Sequence, residues 1–170
     1  MLWQSVYVAV GSNLDQPEMQ VGRALSALQG IVDSQVMLCS SLYGSKPFGP
    51  VQQPDFVNAV AALLTRLTPP QFFQRLRDLE AQLGRTAPRE RWGPRRIDLD
   101  LLVFGHERMS TAELTLPHPQ IAARNFVLYP LRELAPDLPI PGSERVRELA
   151  ARVDPGGIWR LDGQPLSDGS

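Results

Sequence analysis

The chain has 170 residues, a formal net charge of −1 and 43% hydrophobic residues, values typical of one soluble domain of ordinary size. No apolar run approaches the roughly 20 residues of a membrane helix, and no signal peptide is visible, so we expect a cytoplasmic protein that does not associate with membranes. Cys39 is the only cysteine, which excludes an internal disulfide, and the near-neutral charge excludes a general attraction for polyanions.

The first half of the chain alternates between predicted strands and helices. Hydrophobic patterning predicts strands over residues 5–10, 36–43 and 56–64, with an irregular Gly- and Pro-rich loop over residues 44–54. A first helix is predicted to follow Asp15 as its N-cap and to end near Gly30. A second helix follows Thr68, which forms a capping-box pattern with Gln71, and ends at Gly84.

An arginine-rich loop follows this second helix. Five of the sixteen arginines lie between Gly84 and Ile97, namely Arg85, Arg89, Arg91, Arg95 and Arg96. Arginine is well suited to phosphate oxygens, and Trp92 within the same loop has no local apolar stripe to join. The loop therefore indicates a cationic cover over bound phosphates, although a solvated turn with surface charges is the simpler alternative.

The next strand alternates between apolar and acidic residues. Ile97, Leu99 and Leu101 share one face, and Asp98 and Asp100 share the other, roughly 6.5–7 Å apart along the strand. Two like charges at this spacing favour a hard divalent cation such as Mg²⁺, which takes carboxylate oxygens and substrate phosphates. Together with the arginines, this pattern favours phosphoryl-group transfer over the alternative of an exposed strand face balanced by neighbouring cations.

Other residues are ambiguous by themselves. Phe56 and Asn58 share a strand face, which suits either core packing and a strand-end cap or a flat heteroaromatic ligand. His118 lies between two prolines, a setting more typical of a structural histidine than of a base. Helices are predicted over residues 125–134 and within 142–152, and residues 164–170 are expected to fray.

The order strand, helix, strand, strand, helix, strand is the ferredoxin-like arrangement. We therefore expect an α+β fold in which helices pack on one face of an antiparallel sheet, followed by a C-terminal extension. The chain shows no internal repeat or linker, so residues 1–170 are expected to form a single domain.

Several motifs together resemble a known family. The matching segments span most of residues 5–136 and are, in chain order, Val10-Gly11-Ser12-Asn13-Leu14, Ser41-Leu42-Tyr43, Pro47-Phe48-Gly49-Pro50, Gln53 to Asn58, Leu83-Gly84-Arg85, Arg91-Trp92-Gly93-Pro94-Arg95, Ile97 to Asp100, Pro117-His118-Pro119 and Arg124 to Leu128. They resemble the 6-hydroxymethyl-7,8-dihydropterin pyrophosphokinases of the folate pathway. The stretch from Arg91 to Asp100 carries the most specific part of this resemblance.

The resemblance implies transfer of the terminal pyrophosphoryl group of ATP to the hydroxymethyl oxygen of the pterin, releasing AMP. Small-molecule partners are implied, with no nucleic acid, and a monomer is expected. By the resemblance, the catalytic residues would be Arg85, Arg91, Asp98 and Asp100, with Asp98 and Asp100 bridging two Mg²⁺ ions. The pterin would contact Ser45, Pro47, Phe48, Phe56, Asn58 and Phe126. The nucleotide would contact Glu80, Arg85, Arg91, Trp92, Arg95, Leu101, Thr115, His118 and Arg124.

Two rival functions are open at this stage. Sheets of this topology often bind single-stranded RNA, although no strand here interleaves aromatic and basic residues, and an acidic pair would repel a phosphate backbone without a metal. An unrelated Mg²⁺-dependent nucleotidyl transferase would also use an acidic pair and arginines.

Overall fold

The amino-terminal strand β1 (Gln4–Ser12) lies inside an antiparallel sheet in the computed structural model, which describes residues 2–84 and 96–166. Its other strands are β2 (Ser34–Cys39), β3 (Tyr43–Ser45), β4 (Phe56–Thr65), β5 (Asp98–Phe104) and β8 (Ile158–Arg160). The sheet order is β5-β1-β4-β3-β8, and β2 pairs with β4 beside β3. A separate hairpin is formed by β6 (Met109–Ser110) and β7 (Thr115–Leu116).

Two helices cover the first face of the sheet. Alternate valines of β1 and alanines of β4 pack there against α1 (Pro17–Leu28) and α2 (Pro69–Gln82). The capping box predicted at the start of α2 is present, since Thr68 and Gln71 each bind the other's backbone N–H. This first face holds the larger hydrophobic core.

The second face is also covered, which corrects the expectation of helices on one face. Val60 and Leu102 pack there against α3 (Asn125–Leu134) and α4 (Val146–Arg152), and a 3₁₀ turn (Ile121–Ala123) precedes α3. The C-terminal extension of the chain therefore packs on the sheet and completes a second core. The α+β class is confirmed, and the predicted order of elements holds except that the predicted second strand is divided into β2 and β3.

Two local predictions were wrong, and one strand of the sheet was missed. Residues 36–43 form parts of two strands, β2 and β3. The pairing with β4 is interrupted at Ser40, because the Val60 N–H donates to the Ser40 hydroxyl and not to a backbone carbonyl. Asp15 does not cap α1: Gln16 takes that position with φ 62°, and the Asp15 carboxylate pairs with Arg96 at 2.6 Å. The short strand β8 was not predicted at all.

None of the helices in residues 2–84 and 96–166 combines the length and apolarity needed to cross a bilayer.

Candidate functional site

A cavity of about 460 Å³ opens on the second face of the sheet, where β1 ends and its antiparallel neighbours β4 and β5 begin. The register places Asp98 opposite Gly11 on one side and Asn58 opposite Gly11 on the other. A Cβ at Gly11 would lie 3.2 Å from Oδ1 of Asn58, so a side chain there would fill the floor between the two residues. The glycine keeps one continuous floor, with an acid at one end and an amide at the other.

The acidic end of the cavity comes from β5. Asp98 and Asp100 are both half-buried and line the cavity, whereas Ile97 and Leu99 between and beside them point into the core, so the predicted alternation is confirmed. The Arg124 guanidinium lies 3.7 Å from Oδ2 of Asp100. The arrangement concentrates negative charge at one rim of the cavity, next to a cation that also lines it.

Glu80 holds the acidic strand in place from behind. Its side chain is only 2% exposed, its Oε2 accepts the Leu99 N–H at 2.9 Å, and its Oε1 lies 3.2 Å from Nη1 of Arg77. Because Leu99 stands between Asp98 and Asp100, this hydrogen bond fixes the segment that carries both acids. Glu80 therefore faces the strand backbone and does not line the cavity.

We expect Glu80→Ala to lower the free energy of unfolding by about 1–3 kcal/mol, because the buried Leu99 N–H would lose its acceptor. Denaturant unfolding followed by circular dichroism measures this change. Glu80→Gln is the matched control, since its amide oxygen can still accept the hydrogen bond. Equal stability of Glu80→Ala and the parent chain would contradict this structural role.

The opposite end of the cavity is aromatic. Phe48, Phe56 and Phe126 line it, and the rings of Phe48 and Phe126 lie 5.6 Å apart at an interplanar angle of 46°. Asn58 is only 5% exposed, and its Nδ2 donates to Oγ of Ser45 at 2.8 Å. An amide in the same cavity as aromatic side chains suits a flat ligand with both hydrogen-bond donors and acceptors.

His118 lies at the rim between the two ends. Burial, followed by the neighbouring Arg124 guanidinium, lowers the pKa of His118 to about 4, while Asp98 opposes the shift. Its Nδ1 accepts the Gln120 N–H at 3.1 Å, so the single proton of the neutral ring is on Nε2. At neutral pH His118 is thus an uncharged N–H donor toward a ligand, and its low pKa makes it a poor general base.

The cavity brings most of the predicted site residues together. It is lined by Ser45, Phe48, Phe56, Asn58, Asp98, Asp100, His118, Arg124 and Phe126. Pro47, Glu80, Leu101 and Thr115 do not line it. Leu101 belongs to the first core, and Thr115 lines a neighbouring hollow that also touches His118. The predicted residues Arg85, Arg91, Trp92 and Arg95, with the rest of the loop over residues 85–95, lie outside the described residues.

Two polar lining side chains, those of Arg77 and Gln120, were missed by the sequence analysis, whereas Lys46 lines the cavity beside Ser45 as the family resemblance implies. Arg77 precedes Glu80 by one helical turn, so its spacing on the predicted helix could have placed it near the acidic strand. Gln120 stands in an irregular segment, where sequence spacing does not indicate the direction of a side chain.

Comparison with known proteins finds sequence relatives that belong to one family. A family model described as 7,8-dihydro-6-hydroxymethylpterin-pyrophosphokinase (HPPK) matches residues 7–136. The 2-amino-4-hydroxy-6-hydroxymethyldihydropteridine pyrophosphokinase of Pseudomonas aeruginosa is 46% identical over 160 residues, which span 94% of this chain and 98% of that protein. The Haemophilus influenzae protein of the same name is 43% identical over 145 residues, or 85% and 90% of the two chains.

Solved structures support the fold. The HPPK-DHPS of Plasmodium falciparum, crystallised with pteroate, superposes with a TM-score of 0.67 at 12% identity over 89% of this chain. This alignment covers 42% of the Plasmodium chain, so the present chain spans less than half the length of that protein.

Proposed function

Because the chain belongs to the 7,8-dihydro-6-hydroxymethylpterin-pyrophosphokinase family, we propose that its cavity is where that family's reaction takes place. The enzyme transfers pyrophosphate from ATP to 6-hydroxymethyl-7,8-dihydropterin in folate biosynthesis, giving the pterin diphosphate and AMP. One observation supports this location: the carboxylates of Asp98 and Asp100 line the same cavity as the aromatic rings of Phe56 and Phe126 and the amide of Asn58.

We assign the aromatic end to the pterin. Phe56 and Phe126 would stack on its two faces, and Asn58 would pair with the polar edge of the ring. The hydrogen bond from Asn58 to Ser45 leaves Oδ1 oriented toward Gly11 and the cavity floor, where it can accept from a pterin N–H. Ser45, Pro47 and Phe48 complete the proposed pterin contacts, with Phe48 already packed against Phe126.

We assign the acidic end to the metal and the phosphates. Asp98 and Asp100 offer hard oxygen ligands on one face of β5, and one or two carboxylates with substrate phosphates suit Mg²⁺. These two residues would hold two Mg²⁺ ions, which when bound neutralise charge on the phosphate oxygens. The described residues contain no cluster of three or more His, Cys, Asp or Glu side chains that could hold an ion alone, so substrate oxygens would complete the shell.

The remaining polar groups would orient the nucleotide. Arg124 and the Nε2–H of His118 are donors on the same rim, one charged and one neutral, and both would contact ATP. The other residues proposed for nucleotide binding are Glu80, Leu101, Thr115, Arg85, Arg91, Trp92 and Arg95. Glu80 is buried behind the acidic strand and Leu101 is a buried residue of that strand, so their proposed influence on the nucleotide passes through the position of the strand.

Catalysis would then depend on positioning and electrostatic stabilisation. The pterin hydroxymethyl oxygen attacks the β-phosphorus of ATP and AMP leaves, while negative charge develops on the phosphate oxygens. Phe56, Phe126 and Asn58 would fix the nucleophile, and Arg124 and the arginines of residues 85–95 would stabilise the charge. No described residue is assigned as a general base.

Single-stranded RNA binding is disfavoured by the fold. RNA-binding sheets of this topology expose one face to stack bases, whereas helices cover both faces of the sheet here. We propose instead a cytoplasmic, monomeric, Mg²⁺-dependent enzyme in which residues 1–170 form one domain. The single sheet shared by both cores supports this domain assignment.

The proposed function predicts AMP as the nucleotide product. Incubation with ATP, Mg²⁺ and 6-hydroxymethyl-7,8-dihydropterin should yield AMP and the pterin diphosphate in equal amounts, resolved by ion-exchange chromatography. Omitting the pterin, or chelating Mg²⁺ with excess EDTA, should abolish AMP formation. Formation of ADP with a pterin monophosphate would contradict pyrophosphoryl transfer, and full activity in EDTA would contradict the metal requirement.

A further inference from the structure

A segment beyond the family match borders the pterin end of the cavity. The match ends at residue 136, yet β8 pairs with β3, with Ile158 opposite Ser45. Just before β8, the carbonyl of Gly157 accepts the Lys46 N–H at 2.9 Å. Residues 153–160, which we call the C-terminal strap, therefore continue the sheet along the strand that carries Ser45.

The same strap is tied to the start of α3 by one buried side chain. Asn125 is 6% exposed, and its Nδ2 donates to the carbonyls of Asp154 at 2.8 Å and of Gly156 at 2.9 Å. Asp154 also accepts the Gly156 N–H, which keeps the two carbonyls together. One amide group thus uses both of its protons to hold the strap against the helix.

We propose that Asn125 is a positioning residue for pterin binding, acting through the C-terminal strap. Phe126 follows it on α3, while Ser45 lies on β3, so the two walls of the pterin end come from different elements. The strap contacts both, through Asn125 on one side and through the β3–β8 ladder on the other. The first turn of α3 has no side-chain cap of its own, so Asn125 provides a constraint that the helix otherwise lacks.

The spacing of the rings decides how well a flat ligand is sandwiched. A shift of about 1 Å in the position of a binding group can cost up to about a hundredfold in rate or affinity, because stacking and hydrogen bonding both depend on close contact. Fixing the position of Phe126 relative to Ser45 would therefore strengthen the binding of the pterin and have much less effect on the binding of ATP. The inference rests on the proposed pterin site.

Asn125→Asp is the sharpest test, because it preserves size but replaces the donating NH₂ with an oxygen facing two carbonyl oxygens. We expect the Kd for the pterin, measured by calorimetry, to rise at least about tenfold, while the Kd for Mg·ATP changes less than about twofold. Hydrogen exchange at the Lys46 amide should speed up in this variant, because the strap would separate from β3. Asn125→Ala should show the same pattern more weakly.

Arg152→Ala is the control for general loosening of the C-terminal region. Arg152 pairs with Glu144 on the exposed side of α4 and does not touch the cavity, so its loss should leave the pterin Kd unchanged. If Asn125→Asp does not fold, Gly44→Ala provides an independent test. A Cβ there would lie 2.3 Å from the Trp159 ring, so this ring and the β8 segment that carries it would have to shift away from β3.

The pterin Kd of Gly44→Ala should rise at least about fivefold and fall back when Trp159→Ala is added, because the double variant removes the clash. An unchanged pterin Kd in Asn125→Asp or Gly44→Ala, or an equal rise for pterin and Mg·ATP, would overturn the proposal. Failure of the proposed pterin site is a separate result: it would appear as unchanged pterin binding in Phe126→Ala, whatever the Asn125 variants do.

Discussion

Replacing Asp98 or Asp100 with Ala should lower turnover by about a thousandfold or more, the size of effect seen when a main electrostatic stabiliser is lost. The reason is that both carboxylates line the acidic rim where metal and phosphates are proposed to meet, and a single remaining acid is a poorer ligand set. The fold should survive, since each substitution removes one of two neighbouring like charges. Steady-state AMP formation measures the effect, and circular dichroism checks the fold.

Asp78→Ala is the control, because Asp78 carries the same charge on an exposed part of α2 and lies outside the cavity. Its turnover should equal that of the parent chain. Near-normal pyrophosphoryl transfer by Asp98→Ala, even at low Mg²⁺, would contradict the assignment of Asp98 as a metal ligand.

Truncating Phe56 or Phe126 to Ala should weaken pterin binding by about 1–3 kcal/mol, the range expected when a stacked aromatic face is lost. The binding of Mg·ATP should change far less, since neither ring is a proposed nucleotide contact. Calorimetric titration with each ligand separately distinguishes the two effects.

Trp3→Ala is the matched control for the loss of an aromatic ring. Trp3 is 46% exposed, packs on Arg66 and does not line the cavity, so neither ligand should bind differently to this variant. If Phe56→Ala and Phe126→Ala weaken pterin and ATP equally, the two rings are core residues and the pterin belongs elsewhere.

Much of the fold is encoded locally and could be predicted. The period-two pattern of Ile97 to Leu101 requires one face in the core and the other in the cavity, and the Thr68–Gln71 capping box requires a helix start. The break between β2 and β3 could not be predicted, because it depends on a hydrogen bond from Val60 to the Ser40 side chain across the sheet. The three residues of β8 are similarly defined by distant pairing with β3.

Some residues of the candidate site could likewise be predicted from the sequence, and others could not. Asp98 and Asp100, and likewise Phe56 and Asn58, could be paired from strand periodicity, and their common cavity follows from the register through Gly11. His118 and Arg124 came from family resemblance, because nothing in their local sequence points to the cavity. The link between Asn125 and residues 154–156 joins segments about thirty residues apart, and only the folded chain brings them into contact.

The most direct test of the account is a crystal structure of the chain with Mg²⁺, a non-hydrolysable ATP analogue and 6-hydroxymethyl-7,8-dihydropterin. We predict the pterin between Phe56 and Phe126 with its edge on Asn58, and metal density bridging Asp98 and Asp100 to the phosphates. The hydroxymethyl oxygen should face the β-phosphorus. A pterin bound outside this cavity, or metal density away from both carboxylates, would contradict the central claim that one cavity holds both substrates.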